Sequence, residues 1–138
     1  MPLLHQPKRE SALVIGYGTG NSARVLHDHD FARLDIAELS PDIVALADKH
    51  FGDINGLVSQ KDNVDMYYTD GRNYLLTQSK RYDLISMELT SIWFAGAANL
   101  YNREFYQLVK TRLHDDGILQ QWVQIHHMRP MDLLYLIN

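Results

Sequence analysis

Four short stretches of this 138-residue chain carry residue types that could hold and work on a small polar ligand. The first is Gly16-Tyr17-Gly18-Thr19-Gly20. Glycines let a backbone turn sharply and come close to a ligand, and a helix that starts after such a turn offers free N–H groups and a positive dipole end. The others are Glu38, Asp70-Gly71 and Glu88. A carboxylate at Glu38 can grip ribose hydroxyls. One at Asp70 can accept a hydrogen bond from an adenine amino group, and Glu88 can orient an amine nucleophile or take its proton. Each has a plainer reading as well. Any tight turn uses glycine, Asp-Gly is a common turn, and strand-end carboxylates are often solvated or cap nearby N–H groups.

The glycine spacing bears on the ligand. A dinucleotide fingerprint starting at Gly16 needs Gly or Ala at position 21, which is Asn21. One starting at Gly18 fits through Gly20 and Ala23 but begins two residues late. The G-x-G-x-G spacing of Gly16, Gly18 and Gly20 suits ligands of the S-adenosylmethionine type, which have no pyrophosphate to cradle.

Elements must bring these stretches together. Short apolar runs alternate with helical patterns, the signature of βαβ units and a parallel sheet. Strands are expected at Ser11 to Ile15, Arg33 to Leu39, Val64 to Thr69, Tyr82 to Glu88 and Ile118 to Ile125. Asn21 or Ser22 is expected to cap a helix that turns Ala23, Val25 and Leu26 toward the sheet. Ser40-Pro41 opens a second helix with Ile43, Val44, Leu46 and Ala47 on its apolar face, and residues 52–61 read as a polar loop. A third helix runs through Tyr74 to Leu76, and a fourth from Arg103 to Leu113. All four chemical stretches then fall at carboxyl ends of parallel strands, where open α/β sheets bind ligands.

Composition narrows the field. The length and 46% hydrophobic content allow one core and one domain, residues 1–138. A net charge of −4 without basic clusters gives no sign of a nucleic-acid partner. There is no cysteine, so disulfides and thiolate metal sites are excluded. His126 and His127 are adjacent and would point apart on a strand, so no metal is expected. No apolar run reaches the ~20 residues of a membrane span. Trp93, Phe94, Tyr101 and Tyr106 could wall a pocket, while Phe105 reads as core.

Taken together, these residues resemble the spermidine synthase (polyamine aminopropyltransferase) family. The likeness rests on Val14 to Gly20, Glu38-Leu39-Ser40-Pro41, Asp70 to Leu75, Tyr82 to Ile85, Leu100 to Tyr106 and Asp116 to Leu119, and covers roughly Ala12 to Gln124. Residues 91–97 are similar to the branch in which such a domain is fused to membrane transporter-like segments. The resemblance implies a Rossmann-like, class I S-adenosylmethionine-dependent methyltransferase fold, expected here to be truncated after the fifth strand and to lack the family's N-terminal β-domain. It implies a transferase passing an aminopropyl group from decarboxylated S-adenosylmethionine to a polyamine such as putrescine, with intact S-adenosylmethionine as the alternative co-substrate. A small-molecule methyltransferase and a non-catalytic nucleoside-binding module are the rival readings. Site residues carried over are Gly16, Gly18, Gly20, Glu38, Asp70 and Gly71 for the nucleoside and Glu88 for catalysis. The family has Asp where Glu88 and Ser91 stand, Pro at Ile92, and an acidic residue at Ser40. A polyamine or amine partner, a homodimer, and a cytoplasmic location, as a free protein or as the cytoplasmic part of a membrane-anchored one, complete the expectation.

Overall fold

The computed structural model describes residues 2–89 and 97–123, with Arg129, Met131 and Leu134. Five strands, β1 (Ser11–Ile15), β2 (Arg33–Glu38), β3 (Val64–Tyr68), β4 (Tyr82–Met87) and β5 (Leu113–Gln121), alternate with four helices. These are α1 (Asn21–Asp28), α2 (Pro41–Asn55), α3 (Gly71–Thr77) and α4 (Arg103–Arg112). All pairings are parallel and the order is β3-β2-β1-β4-β5. The chain therefore steps outward from β1 to β3, then crosses back to start again at β4. The switch point lies between β1 and β4, where both strands are buried along their whole length.

Strand alternation splits the core in two. Ala12, Val14, Leu34, Ile36 and Leu84 pack with Ala23 and Leu26 of α1 and Val44 and Ala47 of α2. Leu13, Ile15, Ile85 and Met87 pack on the other side with Tyr74 and Leu75 of α3 and Phe105 and Val109 of α4. Side chains on successive strand residues point to opposite faces, so one strand serves both layers. The helical faces are narrower than the sequence reading: Val25, Ile43 and Leu46 are substantially exposed.

The structure departs from the sequence reading in three places. Gly20, not Asn21 or Ser22, is the N-cap of α1; it adopts a left-handed φ of 80° without a side-chain cap. Helix α2 runs through Gly52 to Asn55, with a kink at Phe51, and stops at left-handed Gly56. Strand β5 begins at Leu113, because Tyr82 pairs with Leu113 and Leu84 with Ile118, so residues 114–117 form a bulge opposite one residue of β4. Gly117 fits there because a Cβ would stand 2.8 Å from the Tyr82 carbonyl oxygen. Gln124 and Ile125 lie outside the described residues, as does most of the helix expected from Pro130.

One buried charge braces the second layer. Asp35, fully buried in mid-β2, accepts through Oδ2 from Tyr82 Oη at 2.6 Å, Tyr74 Oη at 2.9 Å and Lys80 Nζ at 2.8 Å. Burial and these hydrogen bonds push both tyrosines' pKa values up. Burial alone would lower Lys80, but its bonds to Asp35 and Tyr67 hold it above its ordinary value.

Candidate functional site

The glycine turn follows directly from β1. Gly16, Gly18 and Gly20 have φ values of 90°, 55° and 80°, a region open to glycine and costly for other residues. The Gly16 N–H donates to the Ala37 carbonyl at 2.9 Å, which ties the start of the turn to β2. The next amide, Tyr17 N–H, donates to Glu38 Oε2 at 2.8 Å. The other carboxylate oxygen, Oε1, accepts from Ser40 N–H at 3.0 Å. Backbone amides from both sides thus fix the orientation of the Glu38 carboxylate. A carboxylate has about four acceptor positions, so two such bonds leave capacity for a pair of ligand hydroxyls.

Asp70 stands beside this group, since Thr69 N–H donates to the Glu38 carbonyl at 3.0 Å. The Asp70 side chain is the N-cap of α3 and accepts from Asn73 N–H at 3.0 Å. Gly71 is buried, and a Cβ there would stand 2.4 Å from Ile15 Cγ2, so its glycine lets α3 seat directly on the end of β1. On the opposite flank Glu88 N–H donates to the Ile15 carbonyl at 3.1 Å. Its Cβ lies 4.0 Å from where a side chain at Gly16 would begin, and Ser86 Oγ donates to Glu88 Oε1 at 2.7 Å.

Gly16, Gly18, Gly20, Glu38, Asp70, Gly71 and Glu88 therefore share one rim, at the carboxyl ends of β1 to β4. Two openings flank it. A cleft of about 160 Å³ beside α1 is lined by Glu88, Ser86, Gln120 and Ser22, with Leu3 and Leu26 among its apolar walls. A broader polar opening of about 600 Å³ is lined by Asp70, Arg72, Asn73, Asn99, Asn102 and Glu104. Arg72 Nη1 bridges it by donating to the Asn99 carbonyl at 3.2 Å.

Among the aromatics, Phe105 is fully buried core, as expected. Tyr101 Oη donates to the Leu89 carbonyl at 3.0 Å and Tyr106 Oη to Gln121 at 2.7 Å, and burial raises both pKa values, keeping them protonated donors. Ser91, Ile92, Trp93, Phe94, His126 and His127 lie outside the described residues. Among the described residues no cluster of His, Asp and Glu could hold a metal, and no helix is long and apolar enough to cross a membrane. The sequence reading missed Ser86, Gln120, Asn99 and Asn102. Asn102 was discoverable, since Asn before a helical run is a cap signal, and its Oδ1 does accept from Phe105 N–H at 2.9 Å.

A parallel sheet with this strand order, a glycine turn after β1 and acidic residues on the following strand ends defines a class I methyltransferase-like domain. Human methyltransferase-like protein 13 in complex with SAH superposes with a TM-score of 0.73 at 25% identity, over 99% of this chain and 63% of that one. A spermidine synthase in complex with the transition-state analogue AdoDATO superposes with a TM-score of 0.80 at 21% identity, over 87% and 41%. The chain belongs to the spermine/spermidine synthase family, whose domain matches residues 1–131. Polyamine aminopropyltransferase 2 of Hyperthermus butylicus is 33% identical over 117 residues, 83% of this chain and 38% of the relative. Polyamine aminopropyltransferase of Lachnoclostridium phytofermentans is 31% identical over 120 residues, 86% and 42%. The chain thus spans about two fifths of the length of these relatives.

Proposed function

We propose that this chain binds decarboxylated S-adenosylmethionine across the rim and supports transfer of its aminopropyl group to a polyamine such as putrescine, without a metal. The observation that carries this reading is the Glu38 carboxylate, held at both oxygens by the amides of Tyr17 and Ser40 beside the glycine turn. That is a preorganised acceptor for a ribose diol. Asp70 would take the adenine amino group from the opening it shares with Asn99 and Asn102. Gly16, Gly18 and Gly20 would let the backbone approach the ligand, and Gly71 would keep α3 close to β1 beneath it.

The sulfur-bearing end then points toward Glu88. In the reaction the amine lone pair attacks the methylene beside the sulfonium. A C–N bond forms, the C–S bond breaks, and its electron pair returns to sulfur as a neutral thioether. The proton lost from nitrogen passes to the Glu88 carboxylate. The leaving group is already activated, so the protein's work is to position the amine and accept its proton. The names of the relatives support this chemistry, and the Glu88 carboxylate in its cleft suits a cationic acceptor.

The test is a calorimetric titration of S-adenosylmethionine, its decarboxylated form, methylthioadenosine and NAD. Decarboxylated S-adenosylmethionine and methylthioadenosine are expected to bind and NAD to give no heat. Tighter binding of the intact form would transfer the assignment to a methyltransferase. Asp70→Ala is expected to weaken the nucleosides by ~1–3 kcal/mol, and unchanged affinity would remove Asp70 from the site.

A further inference from the structure

The glycine turn is held from behind by a polar cluster on its α2 side. Tyr17 is 3% exposed, and its ring runs away from Glu38 toward α2. Its hydroxyl donates to Asp48 Oδ1 at 2.7 Å. The second Asp48 oxygen accepts from the Ser59 hydroxyl and from Gln60 Nε2. Seven residues along the same face of α2, fully buried Asn55 donates through Nδ2 to the Thr19 carbonyl at 3.0 Å and accepts through Oδ1 from Leu57 N–H at 2.9 Å. Gly20 sits between these anchors: a Cβ there would stand 2.7 Å from the Tyr17 hydroxyl and 2.9 Å from Asn55 Cβ. Burial, and then the bond to Asp48, push the Tyr17 phenol's pKa up, so it remains a donor.

We infer that Asp48 and Asn55 are positioning residues for the nucleoside, acting through Tyr17, Thr19 and Gly20. The inference rests on the proposed nucleoside-binding reading and deepens it. Tyr17 is the connection. Its amide orients Glu38 while its hydroxyl is fixed by Asp48, so a shift at Asp48 moves the ring, the turn and the carboxylate together. Asn55 sets the far end of the same turn through Thr19. The ligand-facing shape of the turn is thus decided by side chains on the helix that follows β2, and the ligand meets neither of them.

The experiment compares Tyr17→Phe, Asp48→Ala and Asn55→Ala with Val44→Ala, which removes core contacts of α2 but none of these bonds. Calorimetry with methylthioadenosine is expected to show affinity about three- to tenfold weaker in the first three, each of which removes one bond that holds the turn. Val44→Ala is expected to lower the melting temperature and leave affinity unchanged. Tyr17→Phe combined with Asp48→Ala should cost less than the two changes added, because both break the Tyr17–Asp48 bond. Without ligand, hydrogen exchange at the residue 17 amide should quicken in Tyr17→Phe and Asp48→Ala. Unaltered affinity in Tyr17→Phe and Asn55→Ala, or a Val44→Ala loss as large as theirs, overturns the positioning role alone. An unaltered chain that binds no nucleoside removes the underlying reading and this one with it.

Discussion

The rim has two halves built in different ways. Around β1 and β2, Glu38 is tied at both oxygens to backbone amides, and the turn beside it is pinned by Asp48 and Asn55. Around β4, Glu88 meets the hydroxyl of Ser86, a rotor that can donate in several directions, and it faces a cleft with mixed polar and apolar walls. The first half suits holding: a ligand gains most from groups already ordered before it arrives. The second suits reacting, where a carboxylate must change partners as a proton moves. Rigidity is invested where geometry must be kept and spared where chemistry must pass.

Removing charge at each carboxylate gives the largest separation. Glu88→Gln is expected to lower aminopropyl transfer about 10²- to 10⁴-fold with nucleoside affinity unchanged, as loss of a general base would. Glu38→Gln turns an N–H₂ toward one of its two amide donors and is expected to weaken nucleoside binding by about 1–3 kcal/mol. Equal losses of rate and affinity in both variants would erase the distinction between the halves. Within the holding half, Gly20→Ala should cost about 2–5 kcal/mol in urea unfolding, combining a left-handed φ with collision against Tyr17 and Asn55. Gly18→Ala meets nothing within 4 Å and should cost only the conformational ~1–2 kcal/mol. If the two glycines cost the same, the bracing behind the turn is not rigid.

Alkali tests both layers more gently. Tyr17, Tyr74, Tyr82 and Lys80 all hold their protons more tightly when folded. The linked stability is therefore complete below pH 10.0, the ordinary tyrosine value, and is lost as pH rises above it. Denaturation measured against pH should turn downward there, and Tyr17→Phe should remove one proton from that slope. A slope unchanged by this variant would mean that the turn is not sealed as described. The smallest effect is expected at the bulge of β5, where exposed Asp116 pairs with Lys8 at 2.8 Å. Hydrogen bonding to Lys8 lowers the Asp116 pKa, so its contribution is present above 3.8 and fades as pH falls. Added salt should remove it too, and melting curves near pH 3 with and without Lys8→Met would check this.

Much of this was readable before any coordinates. Strands β1 to β4 fall within one residue of their expected limits, because runs such as Ala12-Leu13-Val14-Ile15 are too apolar to lie anywhere but a covered sheet. Glu38, Asp70 and Glu88 reach one rim because each follows such a run. The cap of α1 was misread because Asn21 and Ser22 are good capping residues locally, while tertiary neighbours claimed Gly20's left-handed position. The start of β5 was misread because pairing with Tyr82, not local propensity, draws Leu113 into the sheet. Asp35 gave no local signal at all, since its partners Tyr74, Lys80 and Tyr82 come from α3, the loop after it and the start of β4.

By itself the sequence determined the order of elements, the positions of the acidic strand ends and the glycine turn, all of which follow from hydrophobic period and backbone freedom over a few residues. Only the tertiary structure decided that Glu38 is held by Tyr17 and Ser40, that Asp48 and Asn55 support the turn, and that Glu88 faces a separate cleft. Apart from the local bond to Ser40, the bonds that hold Glu38 and the turn join residues 21 to 36 positions apart. No spacing rule encodes them; they exist because a parallel sheet carries each strand's end to the same edge.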